Sequence, residues 1–187
     1  MILSRPLVLA PFTATMVLMA ACSQPASNQP PTAKADEAAD QNAASTPPPA
    51  VKPVDIPTKG GDGSPVELAV LTEGDISEAR LSGELGCSFA ADASTPPILM
   101  AMGNVGSNDP ARGIVKVGDV VERVAAPGGF DGMVRGARFT GKGLQLLVAP
   151  TGVATAGGES PPVPATLTAD RADGAVRVFA GLWQCGP

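Results

Sequence analysis

The stretch ARLSGELGCSF, residues 79–89, alternates apolar and polar side chains along its length. One face carries Leu81, Leu85, Cys87 and Phe89, and the other face carries Arg80, Ser82, Glu84 and Ser88. Successive side chains of a β-strand point to opposite faces, so this two-residue period predicts a strand with one buried face. A short helix over residues 75–81 is the competing interpretation of its beginning, with Asp75 as a possible N-cap.

The rest of the chain predicts further strands joined by glycine-containing turns. Residues 98–102 form a short apolar run. Three predicted hairpins turn at Gly118-Asp119, at Gly141-Lys142-Gly143 and at Ala172-Asp173-Gly174. In the last of these, the Asp-Gly pair suits a type I′ turn. About eight short strands with frequent turns are typical of an all-β protein, either a small antiparallel barrel or a sandwich.

The first residues of the chain have the three parts of an export signal. Arg5 supplies a positive charge, an apolar run extends from Leu7 to Ala20, and small residues precede Cys22. The apolar run is shorter than the ~20 residues that a membrane-spanning helix needs. Its end, Leu18-Met19-Ala20-Ala21-Cys22, resembles the lipobox of bacterial lipoproteins, with methionine in place of the usual second leucine.

This resemblance implies that signal peptidase II cuts before Cys22. The sulfur of Cys22 then carries a diacylglycerol, and its new amino group is acylated, for example with palmitate. Ser23 rather than aspartate follows the cysteine, which by the same analogy favours the outer membrane. We therefore expect a lipid-anchored protein of the cell envelope that faces the periplasm. The alternative is an ordinary secretory signal in which the cysteine occurs by chance.

The chain has three cysteines, an odd number that needs an explanation in an exported protein. If Cys22 is lipidated, Cys87 and Cys185 remain as a pair, and an oxidising periplasm favours a disulfide between them. In the last predicted strand Phe179, Trp183 and Cys185 share one face. We expect the disulfide to lie inside, beside the tryptophan, and to lock the first long strand to the last. The alternative is two separate buried thiols.

Composition divides the chain into three parts. Residues 1–21 are the predicted signal peptide. Residues 22–65 hold the lipidated cysteine and a tether rich in Pro, Ala, Ser and Thr. Such a composition buries too little apolar surface to offset the entropy of ordering, so the tether is predicted to be disordered. Residues 66–187 are predicted to form one β-rich globular domain with a single core.

The residue types do not point to a reaction. The chain has no histidine, which removes the Ser-His-Asp and Cys-His nucleophile systems and most transition-metal sites. Paired carboxylates can act as acid and base, but each acidic cluster lies near a predicted turn or exposed face and is expected to be solvated. The clusters are Glu73 with Asp75 and Glu78, Asp119 with Glu122, and Asp170 with Asp173. The loop 103–109 has oxygen ligands without the spacing of a calcium loop. A net charge of −5 and an aromatic content of 3% argue against nucleic-acid binding. We expect no enzyme, metal or cofactor.

Two segments resemble the membrane-bound inhibitors of c-type lysozyme: Phe139-Thr140-Gly141-Lys142-Gly143-Leu144, and the ending Trp183-Gln184-Cys185. Those inhibitors are lipid-anchored eight-stranded barrels that insert a loop into the lysozyme cleft. This chain differs from them at Thr140, where they carry an aromatic residue, and in having no tyrosine. The resemblance covers residues 83–186 and implies that Lys142 lies in an interaction loop that contacts a lytic enzyme.

Two functions are therefore expected for the domain. The first is a non-catalytic module that binds another envelope protein through its loops. The second is an inhibitor that protects peptidoglycan from an incoming lytic enzyme. In both, the membrane is a partner through the N-terminal lipid.

Overall fold

The computed structural model describes residues 54–154 and 157–187. The predicted signal peptide, Cys22 and the tether up to residue 53 lie outside the described residues. The described elements are β1 (Ile56–Lys59), β2 (Leu68–Ala69), α1 (Glu73–Ala79), β3 (Leu85–Ala90), β4 (Leu99–Gly103), β5 (Ala111–Val117), β6 (Val120–Ala126), β7 (Arg138–Gly141), β8 (Leu144–Pro150), β9 (Val163–Arg171) and β10 (Val176–Gly186). Among these residues no helix is long and apolar enough to span a bilayer.

Strands β3 to β10 form a closed antiparallel barrel. Each strand pairs with the next one along the chain, and β10 pairs with β3 to close the ring. Strand β10 can do both because it is long: residues 176–183 pair with β9, while residues 182–186 pair with β3. The all-β prediction is confirmed, and this closure decides between the two predicted architectures in favour of the barrel.

The disulfide lies on the seam where the barrel closes. Cys87 in β3 and Cys185 in β10 are direct cross-strand partners, and their sulfurs are bonded. Cys87 is buried, and Trp183, two residues before Cys185 on the same inward face, is 1% exposed. The predicted pairing, its inward position and its link between the first long strand and the last are therefore confirmed.

Large side chains fill the inside of the barrel. The largest fully buried ones are Trp183, Phe89, Phe139, Leu99, Leu146 and Leu167, which come from six of the eight barrel strands. The rings of Phe139 and Trp183 meet edge to face with centroids 6.3 Å apart, a favourable aromatic geometry. Nε1 of Trp183 donates a hydrogen bond to the Met133 carbonyl at 3.0 Å. Met133 itself is fully buried, so the segment between β6 and β7 contributes to this core.

Only Ala79 of the quoted stretch is helical, residues 80–84 are neither helix nor strand, and the predicted strand over residues 79–84 is wrong. Helix α1 ends at Ala79, Arg80 takes a left-handed conformation with φ 45°, and β3 begins only at Leu85. The competing helix is correct, but its N-cap is Thr72 and not Asp75. Asp75 is the third residue of the helix and completes a capping box with Thr72.

Helix α1 packs on the outside of the barrel. Its Ala79 and the preceding Leu71 bury Ile114, an outward-facing residue of β5, and Ile76 packs against the same cluster. Two cations on the barrel hold the helix in place. Lys116 forms a 2.9 Å ion pair with Asp75, and Arg123 donates to the Ala79 carbonyl at 2.7 Å.

The stability of the protein should depend on the ionisation of Asp75. Hydrogen bonds from the Thr72 backbone and from the Lys116 side chain lower the pKa of Asp75 to about 2, from a usual value of 3.8. A carboxyl group whose pKa is lower in the folded protein than in the unfolded chain stabilises the fold at pH values above the unfolded pKa. This contribution is lost as the pH falls toward the pKa of the folded state. The urea midpoint should therefore be constant from about pH 7 to about pH 5 and should fall between about pH 4 and pH 2.

Asp75→Asn should lower the midpoint at neutral pH and weaken its fall in acid. The fall should not disappear, because hydrogen bonds from Ser94 and Thr95 also lower the pKa of Asp92 to about 2. Glu78→Gln is the matched control, since the Glu78 side chain makes no ion pair or hydrogen bond with the described part of the chain. Equal acid profiles for the Asp75→Asn variant and the unaltered protein would contradict the role given to Asp75.

The folded region begins earlier than the predicted boundary at residue 66. Strand β1 at Ile56–Lys59 pairs with β10, and β2 pairs with the end of β5. Each of these short strands pairs with a part of a barrel strand that its other neighbour leaves unpaired. Strand β3 pairs with β10 only over residues 182–186, and β1 pairs with β10 nearer its beginning, at Val176 and Val178. Strand β4 pairs with β5 only up to Val115, and β2 pairs with the two residues after it. Because β1 and β2 have four and two residues, they are too short to show a period in the sequence.

The β9–β10 turn corrects another prediction. A type I′ turn needs a positive φ at both central residues, but only Gly174 has one, at 88°. Arg171 and Ala175 instead flank a three-residue loop, in which the Gly174 N–H donates to the Arg171 carbonyl at 2.9 Å. Glycine at the last loop position is typical of a type I turn followed by a G1 bulge.

Candidate functional site

One end of the barrel carries three tight hairpins. Because the strands run alternately up and down, the β5–β6, β7–β8 and β9–β10 connections all lie at this end, which we call the mouth. Alternate side chains of a barrel strand point inward. Those nearest the mouth are Val117, Val120, Glu122, Leu144 and Arg171, as the cross-strand register gives them.

A segment before β2 covers part of the mouth. We call residues 60–67 the strap. Its Val66 is 2% exposed and belongs to the main core. Arg177 in β10 donates to the Val66 carbonyl at 3.0 Å and stacks over Phe179 with its guanidinium carbon 4.5 Å from the ring centre. The strap is therefore anchored by an apolar side chain below and by a cation beside it.

Arg171 ties the strap to the β9–β10 hairpin. Its guanidinium contacts Asp173 at 2.6 Å and Asp62 of the strap at 2.8 Å, and it also donates to Ser64 at 2.7 Å. Hydrogen bonds from Arg171, and then from the Ala175 N–H, hold the pKa of Asp173 well below its usual range. The pKa of Arg171 is raised chiefly by its hydrogen bond with Asp173. These pairs are solvated, so they fix the position of the strap more than they stabilise the fold.

The uncovered part of the mouth is a concave site, which we call the notch. It is a cavity of about 270 Å³ between the strap and the β5–β6 and β7–β8 hairpins. Its apolar lining consists of Pro65, Val66, Val117, Val120 and Leu144. Its charged lining consists of Glu67, Glu122, Lys142 and Arg171. The notch therefore combines an apolar floor with charges of both signs.

Lys142 lies on the rim of the notch, in the two-residue turn between β7 and β8. Gly143 follows it with φ 63°, a conformation that glycine adopts without strain. The Ala172 N–H donates to the Gly143 carbonyl at 2.7 Å, so the neighbouring β9–β10 loop supports this turn. The Lys142 side chain is exposed. The structure thus places the predicted residue beside a cavity, and its role in an interaction stays a prediction.

Of the other two acidic residues of the notch, Glu67 is not identified by the sequence, and Glu122 is predicted only as a solvated neighbour of Asp119. Glu122 pairs with the buried Val115, which puts it on the inward face of β6 together with Val124. The sequence does contain a signal for Glu122, because this acidic residue interrupts a series of inward-facing apolar residues near the end of a strand. Glu67 has no such signal, because its position depends on the path of the strap.

Two members of the acidic clusters, and two carboxylates beside the loop considered in the sequence, have structural partners. Asp75 pairs with Lys116, and Asp173 pairs with Arg171. Beside the loop 103–109, Glu84 accepts from the Val105 N–H at 2.9 Å and Asp131 accepts from the Gly106 N–H at 2.6 Å. Within residues 54–154 and 157–187, no three acidic or cysteine side chains are grouped closely enough to hold a metal ion.

A second cavity lies on the outer wall of the barrel. It measures about 360 Å³, and its lining includes Gly86, Gly186, Met100, Met102 and Gln184. Glu84 is its one charged lining residue. This cavity has one charged side chain, whereas the notch has four charged side chains of both signs, so it offers fewer charges to select a ligand than the notch does.

Comparison with known proteins gave no match to a protein family, to a curated protein or to a solved structure.

Proposed function

We propose that this protein is a lipoprotein of the bacterial cell envelope, anchored through Cys22, whose barrel is a non-catalytic binding module. The observation that carries the proposal is the bond between Cys87 and Cys185. With these two paired, Cys22 is the remaining one of the three cysteines, and it ends the lipobox-like segment. The odd cysteine thus stands where a lipid would be attached.

The disulfide also supports the compartment. Such bonds form and persist in oxidising places such as the bacterial periplasm, and they are rare in the cytosol. A diacylglycerol and a further acyl chain at Cys22 would each add about 0.8 kcal/mol of membrane affinity per buried CH₂, which makes attachment long-lived. Ser23 favours the outer membrane. The barrel would then face the periplasm.

The mouth supports binding as the role of the barrel. Concave sites in the mouths of β-barrels are common ligand sites. Here the strap and two hairpins form the walls, and hydrogen bonds through Arg171, Arg177 and Gly143 hold them in place. Because these walls are already ordered before a ligand binds, binding costs little conformational entropy. We propose that the notch is the binding surface of the module.

Replacing Cys22 tests the anchor. With Cys22→Ser the protein should lose both palmitate labelling and cleavage by signal peptidase II, because that enzyme acts on the lipidated cysteine, and globomycin should block processing of the unaltered chain. Ser23→Ala is the control, and it should keep both the label and the cleavage. Palmitate labelling of the Cys22→Ser variant, or processing of the unaltered chain that ignores globomycin, would contradict the lipid anchor.

A lysozyme inhibitor is the second candidate function. Two observations favour it: the closed eight-stranded barrel, which is the architecture that the resemblance implies, and the exposed lysine at the tip of the β7–β8 hairpin. The acidic groups of a lysozyme cleft would attract such a lysine. In this case Lys142 itself enters the enzyme.

The purified protein should then inhibit a c-type lysozyme, and Lys142→Ala should weaken inhibition by about tenfold or more if the lysine is a central contact. Lys59→Ala is the matched control, since Lys59 is also exposed but lies in β1. The absence of inhibition at micromolar concentrations of the unaltered protein would remove this candidate and leave the first one untouched.

A further inference from the structure

We propose that the notch binds short peptide segments that carry a free carboxylate and a free ammonium group beside a small apolar side chain. This inference deepens the proposed binding function and rests on it, but it does not depend on the lipid anchor. Three properties of the notch carry it: its size, its apolar floor and its unpaired charges of opposite sign.

The size and floor set the apolar part of the ligand. At about 270 Å³ the notch is near the lower limit of ordinary ligand sites, which begin at about 300 Å³. Val66 and Leu144 form a nearly buried base at 2% and 7% exposure, whereas Val120 remains 58% exposed. A branched aliphatic side chain of a ligand would cover Val120 and fit this volume. A large folded surface would not enter it.

The charges set the polar part. Lys142, Glu67 and Glu122 line one cavity, yet within the described residues none of the three forms an ion pair within 4.0 Å or a side-chain hydrogen bond. Arg171, the other cation, is already occupied by Asp62 and Asp173. The free groups of the notch are therefore one ammonium and two carboxylates. A ligand with both charges complements both sides, and such complementarity gives specificity.

The backbone that carries these groups is fixed independently of any ligand. The Lys142 turn is held by the hydrogen bond between Ala172 and Gly143, and Glu122 is held by its strand pairing with Val115. The exposed Lys142 side chain has a flexible stem, so its ammonium group can adjust to a carboxylate of the ligand. A ligand therefore binds without rearrangement of the barrel backbone.

Peptides with both charges have two sources in the cell envelope. One is the stem peptide of peptidoglycan, which carries carboxylates and a side-chain amine. The other is the end of a protein chain or a peptide fragment with free termini. Both sources offer a pair of opposite charges beside a small side chain. The experiment uses one probe for each source and so distinguishes the two.

The test is methyl NMR on the full mature chain in detergent, titrated with defined peptides. The first probe is the tripeptide Ala-Leu-Ala with free ends, and its N-acetylated and C-amidated forms are the matched ligands. The second probe is the stem tripeptide that contains diaminopimelate. We expect saturable shifts of the methyl signals of Val66, Val117, Val120 and Leu144 with at least one of the two free probes. Saturation by the stem tripeptide alone assigns the site to peptidoglycan, and saturation by the linear peptide assigns it to free chain ends.

Removing either charge should weaken binding. Capping one end of the linear peptide should raise its dissociation constant by about two- to fivefold, as expected for a solvated ion pair. Lys142→Gln and Glu122→Gln should each do the same, and Lys59→Gln, outside the notch, should change nothing. The proposal is overturned if neither free peptide gives saturable shifts up to about 10 mM, or if capping and both notch variants leave the affinity unchanged. Failure here leaves the lipid anchor standing, since Cys22→Ser tests that separately.

Discussion

Replacing Cys87 and Cys185 together with alanine should lower the free energy of unfolding by about 2 to 5 kcal/mol. The two cysteines are 98 residues apart in sequence, so their bond closes a long loop in the unfolded chain. On the chain-entropy account a loop of this length is worth about 4.7 kcal/mol. The bond also joins β3 to β10, where the ends of the barrel meet. Urea unfolding of the variant and the unaltered protein, measured without reductant, checks the difference.

Two comparisons separate the bond from the loss of two sulfurs. Adding dithiothreitol to the unaltered protein should reproduce most of the destabilisation, while it should leave the double alanine variant unchanged. A further control is Cys22→Ser, which removes a cysteine and should keep the same unfolding midpoint. If the double variant unfolds at the same urea concentration as the oxidised protein, the disulfide does not hold the seam.

Trp183→Ala should be similarly damaging, with a loss of about 3 to 5 kcal/mol. The indole is 1% exposed, packs edge to face on Phe139 and donates to the Met133 carbonyl. Removing it leaves a cavity among the large side chains that fill the barrel. It also removes the side-chain hydrogen bond to the Met133 carbonyl, which then accepts only from the Gly136 N–H. Chemical denaturation followed by far-ultraviolet circular dichroism measures the loss, because Trp183 is the chain's one tryptophan.

Trp183→Phe distinguishes packing from hydrogen bonding. Phenylalanine keeps an aromatic ring but cannot donate, so its expected loss is smaller, about 1 to 3 kcal/mol. If both variants lose the same amount, the hydrogen bond to Met133 would account for the whole effect. If neither loses more than about 1 kcal/mol, an ordinary value for a point substitution, the packed interior described above would be contradicted.

The sequence predicted the parts of the fold that depend on local pattern. Alternation identified β3, and glycine-containing turns identified the three hairpins. The pairing of Cys87 with Cys185 came from counting cysteines, and it connected the two strands that close the barrel. Closure itself is a contact between residues far apart in the chain, and no local period reports it. The choice between barrel and sandwich therefore had to come from the structure.

The predictions that were wrong concern segments whose structure depends on distant partners. The residues before Leu85 alternate as a strand would, but the capping box at Thr72 and the burial of Ile114 favour a helix that ends at Ala79. The strap has a composition typical of a linker, and it is ordered because Arg171 and Arg177 contact it and because β1 and β2, on either side of it, pair with β10 and β5. For the candidate site, Lys142 came from the resemblance to the lysozyme inhibitors. Glu67 and Val66 joined it only once the strap was placed.

The most direct test of the account is peptide mass spectrometry of the protein extracted from bacterial membranes and digested without reduction. We predict an N-terminal peptide that begins at Cys22 and carries a diacylglycerol, together with a linked peptide pair that contains Cys87 and Cys185. An unmodified Cys22, or a disulfide that joins Cys22 to either of the other cysteines, would contradict the account.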